Sequence, residues 1–559
     1  MSTLEPIIEG RRLTGANFFC DEPAAILDIE IASEQFKVFF IEWKKTIEAL
    51  HLLSGRDKPK IISREHALGQ SLIVTAPIDA LYSTIDLLEE VYLALLGNSF
   101  KALTEGALQT LSEKYKLVYK EEERDDIRKF QIEALKRKVP FLWDDDFLSL
   151  GYGKNSETWP LDQLPISPDW SSYKPMPLAI ITGTNGKSTT TRLCSQILKK
   201  AGRTVGFSST DGIWAGEECL DSGDYSGPGG AREVLRNKTV DVAILEVARG
   251  GLLRRGLGAE NADISLITNV AEDHLGEYGV NTLDELIEAK FIIRKALKPN
   301  GTLILNADDV GCVKYAANLN EKIVWFSLDK KNRLIQSQID RRLTAFYADK
   351  GSLIASRNGE TAYICKIDDI PICFKGAAKH NISNALAASA LCSHLGVNDQ
   401  EIRDGLTSFD GNQQNPGRGN VFDHNGASIM VDFAHNPHGL NAVVDTLLQL
   451  PAQRRLVMFG HAGDRSNEDI HSLTKAALRL NPDLIIVYEM EQYLRGRKLG
   501  EIPAVINEAL ASLAYPLAQV IQVKNPIEGA ARALDWSEKG DSLLLLTLAD
   551  REAVITLLT

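Results

Sequence analysis

The run Pro177-Leu-Ala-Ile-Ile-Thr-Gly-Thr-Asn-Gly-Lys-Ser-Thr-Thr-Thr-Arg192 passes from a buried-strand pattern through two glycines into an amphipathic helical pattern. Such a loop cradles phosphate. Backbone N–H groups from Gly183 through Thr184, Asn185 and Gly186 to Ser188 can converge on phosphate oxygens at a helix N-terminus. Lys187 can reach the terminal phosphates, and the Ser188 hydroxyl can ligate Mg²⁺. The strict pattern G-x-x-x-x-G-K-[ST] fails, because its first glycine position is Ile181. The strand-loop-helix context still favours nucleotide-phosphate binding over a chance glycine-rich turn.

Further polar residues stand at the ends of apolar runs, where ligands of open α/β sheets collect. Glu246 directly follows Val242-Ala-Ile-Leu245. Its carboxylate could bind Mg²⁺ together with the Ser188 hydroxyl, or it could be an ordinary salt-bridged glutamate. His274 lies in Asn269-Val-Ala-Glu-Asp-His-Leu-Gly276, again just past a strand pattern, and Lys290 lies in Glu288-Ala-Lys-Phe291 on the following helix. Alone, such a histidine is more often structural and such a lysine an anion-pairing surface residue.

The elements that must position these residues read as α/β. From Pro177 onward short apolar runs (Pro177–Ile181, Val240–Leu245, Ile264–Asn269, Thr302–Leu305) alternate with helical patterns (Thr189–Lys200, Leu283–Leu297), the signature of a parallel sheet. Residues 323–375 suggest several short strands forming an antiparallel extension, with turns at Asp329-Lys-Lys and Asn358-Gly. A stretch rich in turn formers, Phe409–Arg418, precedes a second βα alternation, with strands Ser428–Phe433, Leu456–Phe459, Leu484–Val487, Val520–Val523 and Ser542–Leu546. Before Pro177, Ala24–Ile31 and Leu72–Pro77 read as strands, Ala80–Leu96 as a helix and Lys120–Lys138 as a charged, solvated helix face. A Pro-rich linker, residues 164–177, follows. The expected division is an N-terminal α+β domain (1–172), a central P-loop parallel-sheet domain (173–412) and a C-terminal Rossmann-like α/β domain (413–559).

A chain of 559 residues, 44% hydrophobic and 25% charged, is long enough for several cores and has no bias toward disorder. Its net charge of −13 argues against a nucleic-acid binder. The seven cysteines are scattered and never spaced as C-x-x-C, against a disulfide framework or zinc ribbon. Without a signal pattern or an apolar run of membrane-spanning length, the expectation is a cytoplasmic protein with no membrane partner.

Taken jointly, the motifs resemble the Mur ligase family, ATP-dependent enzymes that join amino acids to carboxylates. The resemblance rests on Thr182-Gly-Thr-Asn-Gly-Lys-Ser188, Asn269 with Asp273-His274, Ala289-Lys290, Leu305-Asn-Ala-Asp308, His380-Asn-Ile-Ser-Asn384-Ala, Pro416-Gly-Arg418, Asp432-Phe-Ala-His-Asn-Pro437 and Gly463-Asp-Arg465, in the family's order. It implies ATP and Mg²⁺ as cofactors, bound by Gly183 to Thr189. Lys187 would contact the β/γ-phosphates, and Ser188 and Glu246 would hold one Mg²⁺. His274 and a carbamylated Lys290 would serve a second metal. It further implies Asn381 and Asn384 at the adenine, Asp432 at the ribose and Arg418 at the γ-phosphate.

The sequence is similar in more detail to the Mur-type half of cyanophycin synthetases, through Thr210-Asp-Gly212, Gly223-Asp-Tyr-Ser-Gly-Pro228, Ala248-Arg-Gly-Gly251 and Arg495-Gly-Arg497. Residues 139–154 resemble the segment that in those enzymes leads into an ATP-grasp domain. Here the linker leads straight to the phosphate loop, with no room for one. The implied reaction is amide formation between an amino acid and a peptide or polyamide acceptor through an acyl phosphate. In the related enzymes the Mur-type half attaches arginine to aspartate side chains of a polymer. Glu489 and Glu491, before Arg495-Gly-Arg497, would suit a guanidinium but are interrupted by neutral residues.

Arg249, His435, Asn436, Asp464, Arg465 and Arg497 are the expected substrate contacts. Loop Arg and Asp residues can equally be structural pairs. His274, His435 or a metal-bound group could take the amine's proton, and a homo-oligomer is expected by analogy. The rival readings are a cell-wall or folylpolyglutamate-type ligase, an amidating subunit and a non-catalytic ATP-binding scaffold. The second lacks its cysteine-rich insert here, and joint retention of Lys187, Glu246, His274 and Lys290 argues against the third.

Overall fold

The computed structural model describes residues 7–66, 68–273 and 275–559. The chain forms two compact units. One comprises Met1–Gly183, Gly202–Leu305 and Asp309–Val324, and the other Thr184–Ala201, Asn306–Asp308 and Trp325–Thr559.

The first unit opens on a four-stranded antiparallel sheet ordered Ile7–Leu13, Ala24–Ile29, Gly69–Thr75, Ile61–His66. Alternate residues of its inner strands serve two cores. Ala25, Leu27, Leu72 and Val74 pack with Phe39, Trp43, Leu88 and Val91 of the helices Ser33–Leu53 and Leu81–Gly97. Ala24, Ile26 and Ile73 face the other side with Leu13. The charged stretch expected as one helix over Lys120–Lys138 is instead the end of a helix Glu105–Glu122 and a second helix, Asp125–Arg137. Buried Asp79 fixes the break, accepting from the Arg124 amide at 2.8 Å and from Arg128 Nε at 2.9 Å. Part of that charged stretch therefore packs within the fold, while most of it stays exposed. A small antiparallel sheet, Phe141–Trp143, Phe147–Leu150 and Glu157–Pro160, completes the N-terminal part.

The rest of this unit is a parallel sheet ordered Val205–Ser209, Val242–Glu246, Leu178–Thr182, Ala262–Ile267, Leu297–Asn306, edged by the antiparallel strands Gly212–Ala215 and Glu218–Asp221. Leu178–Thr182 and Val242–Glu246 are buried throughout, as continuous apolar strands of a parallel sheet require. Register pairs Glu246 with Ile181 and Ile267 with Thr182, so the three strands end level with one another. The helix expected over Leu283–Leu297 is α-helical only to Phe291. It tightens to a 3₁₀ turn over Ile292–Ala296 because Leu297 already pairs with Ala262.

In the second unit the helix Lys187–Lys200 packs against Lys379–His394 and Asp399–Thr407. The expected all-antiparallel extension over 323–375 is corrected. A helix, Arg333–Asp340, separates Lys322–Ser327 from Ala345–Asp349, and these two strands pair in parallel. Asn332 caps that helix by accepting from Leu334 N, which turns a hairpin into a crossover. Only Ala345–Asp349, Ser352–Arg357 and Glu360–Lys366 are antiparallel. The last two join at Asn358-Gly359, whose φ values of +56° and +86° suit a tight hairpin turn.

The final sheet, ordered Asn420–His424, Ala427–Asp432, Ser542–Leu546, Arg455–Phe459, Leu484–Tyr488, Val520–Val523, is parallel except at its first strand and carries a core on each face. The protein is thus α/β, with a small N-terminal sheet domain followed in sequence by parallel sheets. Among the described residues no helix is long and apolar enough to cross a membrane.

A Cβ added at Gly405 would stand 2.5 Å from Ile197 Cα, so the helix Asp399–Thr407 seats Lys187–Lys200 through a glycine contact. Gly405→Ala is expected to lower unfolding stability in urea by about 1–2 kcal/mol, because overpacking outweighs alanine's better helix propensity.

Candidate active site

In the first unit the strand Leu178–Thr182 is tied to both neighbours at its end. Thr182 Oγ1 donates to Val247 O at 2.6 Å, and Thr268 N donates to Thr182 O at 3.0 Å. Gly183 follows with φ +154°, and a Cβ there would overlap the Thr268 hydroxyl. Glu246, only 1% exposed, ends the adjacent strand. Lys290 is 4% exposed near the end of the helix Leu283–Phe291 and donates from Nζ to Gly183 O at 2.9 Å. It is therefore a buried lysine held on the phosphate loop rather than a surface residue. Arg249, which begins the helix Arg249–Arg255, forms an ion pair with Glu277. His274 lies outside the described residues, among which no group of three or more His, Cys, Asp or Glu could hold a metal.

In the second unit Gly186 opens the helix Lys187–Lys200 in a left-handed conformation, φ +83°, with no side-chain cap on the helix. A Cβ at Gly186 would overlap Asn384. Lys187 curls back so that Nζ donates to Thr184 O at 3.0 Å. Asn185 and Asn436 exchange amide hydrogen bonds at 3.2 Å, and Asn185 Nδ2 lies 2.9 Å from His438 Nδ1. Asn436 also caps the helix Pro437–Leu448 by accepting from Gly439 N at 2.8 Å. Asn381 and Asn384, both buried, share a 3.2 Å bond, and Thr190 Oγ1 donates to Asn384 Oδ1 at 3.4 Å. The two asparagines thus form one amide platform behind the loop.

Arg418 stands on a turn held by a residue that sequence reasoning passed over. Asn415, 1% exposed, donates to Thr189 Oγ1 at 3.2 Å and accepts from Arg192 at 3.4 Å, while its carbonyl accepts from Arg418 N at 3.2 Å. Only its place in a turn-forming stretch could have marked it. The Arg418 guanidinium lies 4.9 Å from the centre of the Phe433 ring. Beside it, burial raises the Asp432 carboxyl to about 6, against the opposing pull of Arg418 and the amides of Ala434, Gly419 and Phe433. His435 packs edge-on against Phe433 with ring centres 5.4 Å apart.

Asp464 pairs with Arg495. Arg497 donates to Gly463 O at 3.0 Å and to Arg465 O at 2.6 Å, so its observed work is to shape the turn that carries Asp464 and Arg465. His461, also passed over, is 4% exposed just beyond the strand Arg455–Phe459. Burial, then the positive charge of Arg465, lowers it to about 4, leaving a neutral imidazole at neutral pH. Its place after an apolar strand was the only available signal.

The first unit therefore places Gly183 and Glu246 at the carboxyl ends of adjacent central strands, with Lys290 bonded to Gly183. The second brings Asn185 to Asn436, Gly186 to Asn384, and Arg418 to Asp432. Each unit thus holds buried polar groups against close-packed loop backbone, Glu246 and Lys290 in the first and the Asn381–Asn384 amides in the second.

Residues 181–392 match the Mur ligase middle domain, and residues 417–547 match the Mur ligase, glutamate ligase domain. A cyanophycin synthetase of Geminocystis herdmanii is 37% identical over 66% of this chain and 42% of its own length. Another from Synechocystis sp. is 38% identical over 59% of this chain and 38% of its own. The chain thus spans about two fifths of the length of these relatives. The solved structure of E. coli FolC in complex with DHPP and ADP is 20% identical, with TM-score 0.52, over 68% of this chain and 89% of that one, a likeness of fold. Through its middle and C-terminal domains, the chain belongs to the Mur ligase family.

Proposed function

We propose that this chain is an ATP-dependent ligase that joins an amino acid to a carboxylate of a peptide or polyamide acceptor, releasing ADP and phosphate. The observation that carries the reading is the uncapped helix opened by Gly186, with Lys187 and Ser188 in its first turn and Arg418 and Asp432 in the same unit. Similarity to cyanophycin synthetases over about two thirds of the chain favours amide formation over simple hydrolysis.

In the first step a carboxylate oxygen bonds to the γ-phosphorus of ATP as the bond to the β–γ bridging oxygen breaks, giving an acyl phosphate and ADP. Two anions must meet, so Lys187 and Arg418 neutralise charge on the transferring group. Glu246 and Ser188 are hard oxygen donors of the kind Mg²⁺ takes, and the bound ion would add charge neutralisation. Lys290, with CO₂ added to its amine, would become an anionic oxygen donor for a second ion, alongside His274.

In the second step the amine attacks the acyl carbon, phosphate leaves and the amine's proton passes to His274, His435 or a metal-bound group. Asn381 and Asn384 are assigned to the adenine and Asp432 to the ribose. Arg249, His435, Asn436, Asp464, Arg465 and Arg497 are assigned to the substrates. The chain would work in the cytoplasm as a homo-oligomer of three-part subunits, 1–172, 173–412 and 413–559.

Incubation with ATP and a panel of amino acids and peptide acceptors, followed by mass spectrometry, should show an amide product with stoichiometric phosphate. Absence of any amide product would overturn the reading, and competition by a nucleotide-linked peptide would favour a cell-wall substrate.

Lys187→Ala should lower ATP turnover by about a hundredfold or more, as expected on losing a transition-state charge contact. Unchanged turnover would place the ATP site elsewhere. For Asp432, the ionised form accepts from both ribose hydroxyls, and the group protonates as pH falls through about 6. KM for ATP should therefore rise below that pH in the native protein and stay level across it in Asp432→Asn.

A further inference from the structure

One side chain of the N-terminal sheet reaches the segment that leads into the Lys290 helix. Arg64, on the strand Ile61–His66, donates from Nε to Gly279 O at 2.9 Å and from Nη2 to Glu285 Oε1 at 2.9 Å. Its guanidinium lies 4.0 Å from the centre of the Phe18 ring, which limits where the fork can point. Gly279 has φ +74° and presents its carbonyl in a conformation that favours glycine.

Glu285 divides its two oxygens between two tasks. Oε2 accepts from the amides of Asn281 at 2.7 Å and Thr282 at 3.0 Å, completing the capping box that starts the helix Leu283–Phe291, while Oε1 takes Arg64. These amides and Arg64 hold the Glu285 carboxyl below its ordinary range although burial pushes it up. Towards its other end the same short helix carries Lys290, whose Nζ donates to Gly183 O at 2.9 Å. A chain of charge-assisted contacts therefore runs from the N-terminal sheet to the first glycine of the phosphate loop. Arg11 grips the neighbouring element in the same manner, bonding Asp28 at 2.8 and 3.0 Å and Leu253 O, on the helix that Arg249 begins, at 2.5 Å.

We propose that Arg64 is a positioning residue through which the N-terminal domain sets the phosphate loop: by holding Gly279 and Glu285 it fixes the helix Leu283–Phe291, which places Lys290 against the Gly183 carbonyl. The inference rests on the reading of that loop as the ATP site. It gives the N-terminal domain a part in catalysis that needs no ligand of its own.

Hydrogen–deuterium exchange on the full chain tests it without requiring activity. Arg64→Ala should speed exchange at 277–291 and at 183–189 while leaving 427–432 and 542–546 unchanged. Faster exchange confined to the N-terminal sheet, or spread over the whole chain, would overturn the proposal.

In turnover assays Arg64→Ala should lower kcat about tenfold, the usual scale for losing a charged hydrogen bond, with KM for the amino acid little changed. Arg64→Lys should lie between, since an ammonium can reach Glu285 but cannot fork to Gly279 as well. Arg64→Ala combined with Glu285→Gln should be no slower than Arg64→Ala alone, and additive losses would count against a shared path. A wild-type protein that makes no amide while Arg64→Ala still loosens 183–189 would sink the ligase reading and leave this coupling standing.

Discussion

The backbone at Gly183 and Gly186 runs so close to Thr268 and Asn384 that a Cβ at either place would overlap a polar side chain. Everything at the site follows from that closeness. The strand Leu178–Thr182 ends level with Glu246, and Gly183 then passes directly under the Thr268 hydroxyl. The helix Lys187–Lys200 can start uncapped only because Gly186 adopts a left-handed conformation against an amide platform. A side chain at either glycine would force the loop backbone away from the residue it packs against.

Burial then sets the chemistry of those groups. Glu246 and Lys290 are almost wholly withdrawn from water, and one N–H of the Lys290 ammonium donates to a loop carbonyl. Asp432 is pushed up to about 6 while Arg418 holds it from rising further, and His461 is kept neutral beside Arg465. Asn415, Arg497 and Arg64 each hold a turn or helix that carries another group.

Much of the parallel architecture was legible because buried parallel strands read as unbroken apolar runs, and Val242–Leu245 or Ser542–Leu546 can be little else. Residues 323–375 were misread for the converse reason. Short half-buried strands and a short helix share composition, and only Asn332 capping Leu334 N reveals which is present. The helix break after Glu122 depends on Asp79, more than forty positions away in sequence. Local periodicity carries no record of such a partner. His461 and Asn415 escaped for the same reason, since neither residue type is unusual where it stands.

By itself the sequence determined the phosphate loop, the order of the motifs and the family they belong to. Phosphate recognition is built from contiguous backbone amides and the residues just after them, so its chemistry is written in adjacent letters. Tertiary structure alone decided that Lys290 bonds Gly183, that Arg497 shapes a turn and that the N-terminal sheet grips the Lys290 helix through Arg64. These depend on carbonyls and side chains brought together from distant positions, and packing rather than spacing selects them.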